Sequence, residues 1–414
     1  MRVLIVSQYF WPENFRINDL SAELVKKGHD VSVLTGVPNY PEGNVFEQYR
    51  NNRSKFSEFE ACEVIRVPMV TRGKGSSVKL ILNYFSFAFS ASFFGAWKLR
   101  KQAFDVIFVF EPSPVTVGLP AVFLRKIKKA PVVFWVLDLW PETLESIGVI
   151  KSKKLLSLVG LLVSFIYNRC DLILGQSRAF LDGISLYTKN KQKIKYFPSW
   201  SENIFNTEKK SNKPVLDSEE EFFKVLFAGN VGEAQDFPAI LQALDILKSK
   251  NANVKIFVVG DGRALEDTKK IVEERELDKY IAFLGRYPLE AMPGFYSVAD
   301  ALLVTLKESP VFSKTIPGKV QSYMMAGKPL LSMLSGEGSK VISEADCGYT
   351  ASSGDYQMLA DNILSMSTLS QQELTRLGEN AKTYSNKEFN RDKLIDQLDD
   401  WFSEVVKAAK ETGL

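Results

Sequence analysis

The stretch KVLFAGNVGEAQDFPAI, residues 224–240, decides the fold. It joins a short apolar run to a turn holding Gly229 and Gly232, then to a helix that starts near Asp236 with Pro238 just inside it. A continuous apolar run is buried on both faces, as in a parallel sheet covered by helices. The pattern repeats downstream at Val254 to Val259, Ile281 to Leu284, Ala301 to Thr305 and Leu330 to Met333. It also repeats upstream at Val3 to Val6, Val31 to Leu34, Val106 to Phe110, Val132 to Leu137 and Leu172 to Leu174. Two doubly wound α/β halves are therefore predicted, 1–205 and 222–388, joined by a polar, aperiodic linker at 206–221. In the last segment, 389–414, Leu394, Leu398, Trp401, Val405 and Ala408 share one helical face, which predicts a helix crossing back onto the first half. Ligands of such sheets bind beyond the carboxyl ends of the strands, so two halves in tandem are expected to share a cleft there.

Composition removes several classes of function. With 52 Lys and Arg against 49 Asp and Glu in 414 residues, the net charge of +3 gives no field that would gather nucleic acid. Cys62, Cys170 and Cys347 are far apart and form no CxxC pair, which suits a reducing compartment. His29 is the only histidine, so zinc sites built from several histidines are excluded, and its Lys-Lys-Gly-His-Asp context reads as a helix end. Met1 to Ser7 carries an apolar run too short for a signal-peptide core and reads as a first strand, so a cytoplasmic location is expected.

Three loops of the second half could hold a diphosphate. Gly229-Asn230-Val231-Gly232 opens toward a helix start, where glycines admit an anion and free amides face it; an ordinary tight turn reads equally well. Gly260-Asp261-Gly262-Arg263 occupies the same place after the next strand, again with a turn needing positive φ as the competing reading. The third, Ser313 to Pro329, puts Pro317 at a helix start and Gly327 at its end, so Lys319 lies in the opening turn. There the helix dipole and the ammonium add their fields against a departing phosphate. A solvated lysine is the alternative. In the first half, Asp138 ends the strand Val132 to Leu137. It could cap the helix through Thr143 or serve as a catalytic acid, and Glu111 stands at the end of a neighbouring strand.

Taken together, YFWPENFR (9–16), KKGHDVSVLTGVPNYPEG (26–43), WVLDLWPETLESIGVI (135–150), FAGNVGEAQDF (227–237), VVGDGR (258–263) and PGKVQSYMMAGKP (317–329) resemble a family 4 glycosyltransferase of the GT-B fold. The chain is similar in particular to the N-acetylfucosaminyl (L-fucosamine) transferases of bacterial O-antigen and capsule clusters. The resemblance implies a UDP-sugar donor in the second half and a polyprenyl-diphosphate-linked saccharide acceptor in the first. It also implies retention of configuration and no metal or other cofactor.

Residue by residue the resemblance is uneven. The family's paired glutamates before the Ala-Gly-x-Pro turn are Lys314 and Ser322 here, and its Arg and Lys after the glycine loop are Asn230 and Gln235. Lys319, then Lys314, is expected to hold the diphosphate, with Gly229, Gly232, Gly260, Arg263 and Gly318 around it and Gln321 or Ser322 on the ribose. Asp138 best matches the family's first-half acid, Arg16 stands in a loop that is usually glycine-rich, and Asn39-Tyr40 resembles an acceptor-side loop.

Leu80 to Trp97 holds 18 uncharged residues, many of them aromatic, between Lys79 and the basic Lys98, Arg100 and Lys101. Spanning, core and interfacial readings all fit its length, while the stripe Asn83, Ser86, Ser90 favours a helix lying on a bilayer. Leu155 to Tyr167, preceded by Lys151, Lys153 and Lys154, is too short to span. A peripheral membrane surface formed by 79–101 and 151–167 is expected.

Overall fold

The structure, a computed structural model, describes residues 1–73, 77–146, 148–201 and 222–413. The segment 206–221, read as a linker, lies outside the described residues. The chain divides into two compact units, Met1–Phe197 with Asp392–Leu414, and Pro198–Arg391.

Among the described residues the first unit holds eight strands: β1 (Arg2–Val6), β2 (Asp30–Thr35), β3 (Glu58–Phe59), β4 (Cys62–Arg66), β5 (Val106–Glu111), β6 (Val132–Val136), β7 (Leu172–Gly175) and β8 (Ile194–Tyr196). Their order is β3-β4-β2-β1-β5-β6-β7-β8, parallel except for the β3–β4 pair. The second unit holds β9 (Phe223–Ala228), β10 (Val254–Val259), β11 (Ile281–Gly285), β12 (Ala301–Thr305), β13 (Leu330–Met333) and β14 (Gly348–Ala351), all parallel, in the order β11-β10-β9-β12-β13-β14. In both sheets the order reverses beside the first strand of the unit, and ligands of open α/β sheets bind outside such a reversal.

Each of the ten short apolar runs read as strands is a strand, whereas the longer uncharged stretches 80–97 and 155–167 are helical. The four that the runs do not reveal, β3, β4, β8 and β14, lie at or next to a sheet edge. Strands at or next to an edge meet water, so they can carry Glu63, Lys195 and Thr350 and need no unbroken apolar stretch.

Eight helices carry the argument: α1 (Arg16–Lys26), α2 (Ser77–Ser90), α3 (Gly118–Lys128), α4 (Glu142–Ser146), α5 (Lys153–Tyr167), α6 (Phe237–Ser249), α7 (Gly318–Met325) and α8 (Arg391–Glu411). Behind α1, Gly28 turns at φ +84° and the His29 amide bonds to the Leu24 carbonyl at 3.1 Å, a helix-ending arrangement.

Helix α8 belongs to the first unit. Phe402 meets Phe108 edge-on at 5.6 Å and Trp401 meets Phe197 at 5.9 Å. Leu394, Leu398 and Trp401 are buried as expected, together with Ile395, Phe402, Val406 and Ala409, whereas Val405 is half-buried and Ala408, also expected on the packed face, is exposed. Beyond Trp401 the contact runs through Phe402, Val406 and Ala409, one position past the Val405–Ala408 row.

Helix α2 corrects a reading of its polar residues. Asn83 and Ser90 face the protein rather than water: Asn83 is fully buried, accepts from Gln8 Nε2 at 2.7 Å and donates to the Val70 carbonyl at 2.6 Å. Because those partners satisfy the amide, the outer face is left to Val78, Ile81, Leu82, Phe85 and Phe89. Val78–Lys98 has the length and composition to cross a membrane, with mean hydropathy 1.3, yet Phe87, Ala88 and Ala91 sit in the core of the unit.

Candidate functional site

In the second unit a cavity of about 680 Å³ opens at the carboxyl ends of β9, β10 and β11 and beside the start of α7. Glycines make room for it. Gly229 has φ +140°, and a Cβ there would stand 2.4 Å from Lys319 Cε. Gly260 has φ +152°, and a Cβ there would stand 1.8 Å from the Gly229 carbonyl oxygen. The two loops therefore pack backbone against backbone, a contact no side chain permits. Tyr323, buried on α7, accepts from the Ala228 amide at 2.9 Å and donates to the Ala228 carbonyl at 3.2 Å, which ties the end of β9 to the helix carrying Lys319.

Lys319 projects over this glycine floor. Its Nζ stands 3.7 Å from the centroid of the Phe227 ring, and no carboxylate or hydrogen-bond acceptor is paired with it among the described residues. Burial pushes its ammonium down from the usual lysine range to about 7. A half-desolvated cation at a helix start, lacking a counter-ion, is a ready anion site.

Of the residues expected around a diphosphate, Gly229, Asn230, Gly260, Gly318, Lys319 and Ser322 line the cavity. Gly232, Gln235, Arg263, Lys314 and Gln321 do not. Gln235 Oε1 instead accepts from Asn230 Nδ2 at 3.1 Å and the Gly232 amide at 3.2 Å, so it braces the turn. Gln321 is buried and donates to the Ser199 carbonyl at 2.8 Å, Lys314 ends the short turn Phe312–Lys314, and Arg263 is exposed. Five lining residues, Arg286, Tyr287, Leu289, Met292 and Tyr296, escaped sequence reasoning. Arg286 and Tyr287 directly follow the strand Ile281–Gly285, and their place at a strand end was the available signal. Tyr287 meets Phe295 edge-on at 4.7 Å and leaves half its surface open, a platform on which a flat ring can stack.

In the first unit, carboxyls near the strand ends are hydrogen-bonded from within the protein. Asp138 accepts from Trp140 Nε1 at 3.1 Å and from the Thr143 hydroxyl at the start of α4. Burial pushes its carboxyl up, against the lowering pull of donors on Thr143, Ser113 and Trp140. Thr143 fastens Asp138 to the helix start through a side chain, so holding the helix and offering a carboxyl are compatible. Glu111 ends β5 fully buried, with Oε1 unpartnered and the Asp138 amide on Oε2 at 3.3 Å. Burial, then the neighbouring Asp138 charge, raises it well above the carboxylate range, so the neutral acid is the form that burial favours.

Sequence reasoning also passed over Glu13. It is buried and accepts from the Asn39 and Tyr40 amides at 2.7 Å each and the Phe10 amide at 3.2 Å, which joins the loops after β1 and β2. Burial raises its carboxyl against those three bonds. Asn39 is itself buried and its side chain is spent on the Val37 carbonyl and the Arg72 amide, so it shapes its loop. Tyr40 is partly open, lies 5.4 Å from Tyr9 and 5.2 Å from Phe15, and has Arg72 stacked 4.9 Å above it. Arg16 opens α1 and is partly buried. Among the described residues no group of three or more His, Cys, Asp or Glu side chains could hold a metal ion.

Residues 14–200 match the glycosyl transferase 4-like domain, and residues 208–384 match glycosyl transferases group 1. The chain is 24% identical over 347 residues, 79% of its length and 82% of the relative's, to WcaI of Escherichia coli K12, which carries the name of a colanic acid biosynthesis glycosyl transferase. It is 28% identical over 236 residues, 55% of its length and 58% of the relative's, to the Pseudomonas aeruginosa protein WbjE, named as a glycosyltransferase. Among solved structures, Anabaena HepE in complex with UDP superposes with TM-score 0.70 at 13% identity, covering 98% of this chain and 100% of that one. WaaG, a glycosyltransferase involved in lipopolysaccharide biosynthesis, superposes with TM-score 0.62 at 14% identity, covering 97% and 99%. Two Rossmann-like units with these neighbours are the GT-B fold.

Proposed function

We propose that this chain, whose halves are a glycosyl transferase 4-like domain and a glycosyl transferases group 1 domain, transfers a sugar from a UDP-sugar to a lipid-linked saccharide in bacterial surface-polysaccharide assembly. The observation that carries this reading is the unpaired Lys319 ammonium above the Gly229–Gly260 floor, an anion site at the carboxyl ends of a parallel sheet. UDP in the HepE structure and the polysaccharide names of WcaI and WaaG support the donor and the setting.

In this reading the diphosphate lies on the glycine floor against Lys319, the base against Tyr287 and Arg286, and Ser322 near the ribose. The bond from the anomeric carbon to the phosphate oxygen breaks and its electron pair goes to the diphosphate. Lys319 stabilises that charge; the acceptor hydroxyl attacks from the same face and gives its proton to the departing phosphate. The transfer retains configuration and uses no metal, and Asp138, with Glu111 behind it, serves the acceptor side. The sugar assigned is N-acetyl-L-fucosamine or a related N-acetylated sugar.

The acceptor is met at a bilayer. The outer face of α2 continues through Phe93, Phe94 and Trp97, Phe93 lies 5.5 Å from Phe123 of α3, and α5 adds Leu155, Leu158, Leu161 and Phe165, all exposed. Each such side chain entering lipid contributes roughly 1.5–3 kcal/mol and each nearby cation about 1 kcal/mol, so a few of each give reversible docking at the cytoplasmic side of the membrane.

A mass-spectrometric screen of UDP- and GDP-sugars, with and without a lipid-linked acceptor, tests the reading. UDP release that depends on acceptor is expected. Release of GDP instead would overturn the donor, and tight UDP binding without turnover on any acceptor would make the chain a binding protein.

A further inference from the structure

A second cavity, of about 620 Å³, opens on the first unit where α5 ends, lined by Leu161, Phe165, Asn168, Arg169, Lys189 and Lys193 among others. We propose that it takes the phosphate headgroup of an anionic phospholipid and so anchors the apolar face of α5 at the membrane. The proposal rests on the bilayer-docking reading above and assigns it a specific site.

The charge balance of the cavity favours an anion. Its carboxylate, Asp171, is taken by Arg125 through two bonds of 2.8 and 3.1 Å. Three cations remain without a carboxylate partner. Lys193 Nζ donates to the Tyr167 and Cys170 carbonyls at 2.7 and 2.8 Å. Arg169 donates to the Phe165 carbonyl at 3.0 Å and stacks 3.7 Å over the Phe165 ring. The Lys189 ammonium has no partner among the described residues. Capping the carbonyls of a helix end explains one or two N–H groups of Arg169 and Lys193. An ammonium has three and a guanidinium five, so donors are left over for a phosphate. Burial holds the Lys193 ammonium below its ordinary value, which a bound anion would offset.

The second argument is position. Leu155, Leu158, Leu161 and Phe165 form one exposed stripe at helical spacing, and Arg169 falls four residues further on. Leu161 and Phe165 belong to both the stripe and the cavity wall. A helix lying in the interface sinks its apolar face to the acyl boundary, which leaves phosphates level with the cations beside that face. A surface carrying apolar residues and unpaired cations in that order is complementary to one anionic lipid, acyl chains on the stripe and phosphate in the cavity.

Co-flotation with phosphatidylcholine vesicles, with and without phosphatidylglycerol, tests this on the full chain. Two double variants remove the same charge: Arg169→Gln/Lys189→Gln in the cavity, and Lys153→Gln/Lys154→Gln at the opposite end of α5. Each cation near an anionic surface is worth about fivefold in binding, whatever its place. The cavity pair is expected to lose at least about tenfold more than the control pair, and only with phosphatidylglycerol present. Equal losses would overturn the headgroup site and leave membrane docking standing. Equal binding of the unaltered protein to both vesicle types would do the same. No binding of the unaltered protein to either vesicle would sink the docking reading and this site with it. Should Arg169→Gln unfold the end of α5 in a thermal melt, Lys189→Gln alone, tested against Lys153→Gln, asks the same question; an equal loss from those two would again overturn the site.

Discussion

The cavity of the second unit and the polar cluster of the first both occupy the carboxyl ends of a parallel sheet, yet they treat charge in opposite ways. Around Lys319 the protein supplies glycine backbone and an aromatic ring, and no carboxylate is paired with the ammonium. Around Asp138, Glu111 and Glu13 it supplies amides, hydroxyls and an indole, so carboxyls are held from within. In both places burial works against the charged form, lowering the lysine and raising the acids. The lysine must wait for an anion from outside, whereas Asp138 and Glu13 already have donors on both oxygens. Of these two places, the cavity of the second unit is the one whose charge suits the proposed diphosphate.

This contrast has measurable consequences. The largest is expected from Lys319→Met. Losing the buried ammonium proposed to meet the developing charge should lower kcat by about 100- to 1000-fold while UDP-sugar affinity falls by about tenfold or less. The same variant should melt a few degrees higher, because a desolvated ammonium with no counter-ion is removed. Steady-state kinetics and calorimetry check both, and a lower melting temperature would show that Lys319 is structural.

Gly260→Ala comes next. Its methyl would collide with the Gly229 carbonyl at a φ that alanine resists, so a loss of about 3 kcal/mol and of UDP binding is expected in denaturant unfolding with and without UDP. In the first unit, Asp138→Asn should remove activity by about 100-fold. It should cost about 1 kcal/mol of stability, since the amide oxygen still accepts from part of the donor set on Thr143, Ser113 and Trp140. A large drop in melting temperature with normal specific activity would leave the carboxyl a structural role only.

The smallest effect concerns pH. Glu13 is raised in the folded state, so the folded protein binds its proton over a range where the unfolded chain has released it. Its contribution is full below the ordinary carboxylate value and is lost as pH climbs through the raised one. For Lys319 the unfolded chain keeps the proton between about 7 and the ordinary lysine value while the folded one does not, so stability rises with pH there. Glu13→Gln should flatten the acid-side fall and cost about 1 kcal/mol, since its amide nitrogen faces the Phe10 amide; Lys319→Met should flatten the alkaline rise. Melting curves across pH that keep both slopes in both variants would break the comparison.

The sheets were legible because buried parallel strands write themselves as unbroken apolar runs, and the turn glycines because their φ values admit little else. The start of α7 was legible for the same reason, with Pro317 before it and Gly327 after it. The edge strands were not, since solvated strands carry charges. The cavity wall at Arg286 and Tyr287 carried only one signal, its place just after a strand, and residue type added nothing to separate a lining residue from a surface one. Glu13 and Asn83 were hidden for the opposite reason: a polar residue reads as exposed until the fold reveals the partners that let it be buried. On α2 that error turned the polar stripe outward, whereas it is the aromatic face that is open.

The central claim is that the unpaired Lys319 ammonium receives the diphosphate. Titration calorimetry of UDP at pH 8, in buffers of different ionisation enthalpy, addresses it directly. At that pH an ammonium lowered to about 7 is mostly deprotonated, so binding a diphosphate should draw it back to the charged form. Uptake of about one proton by the unaltered protein, and of none by Lys319→Met, is the expected result. Equal proton uptake in both, or UDP binding with no uptake in either, would contradict it.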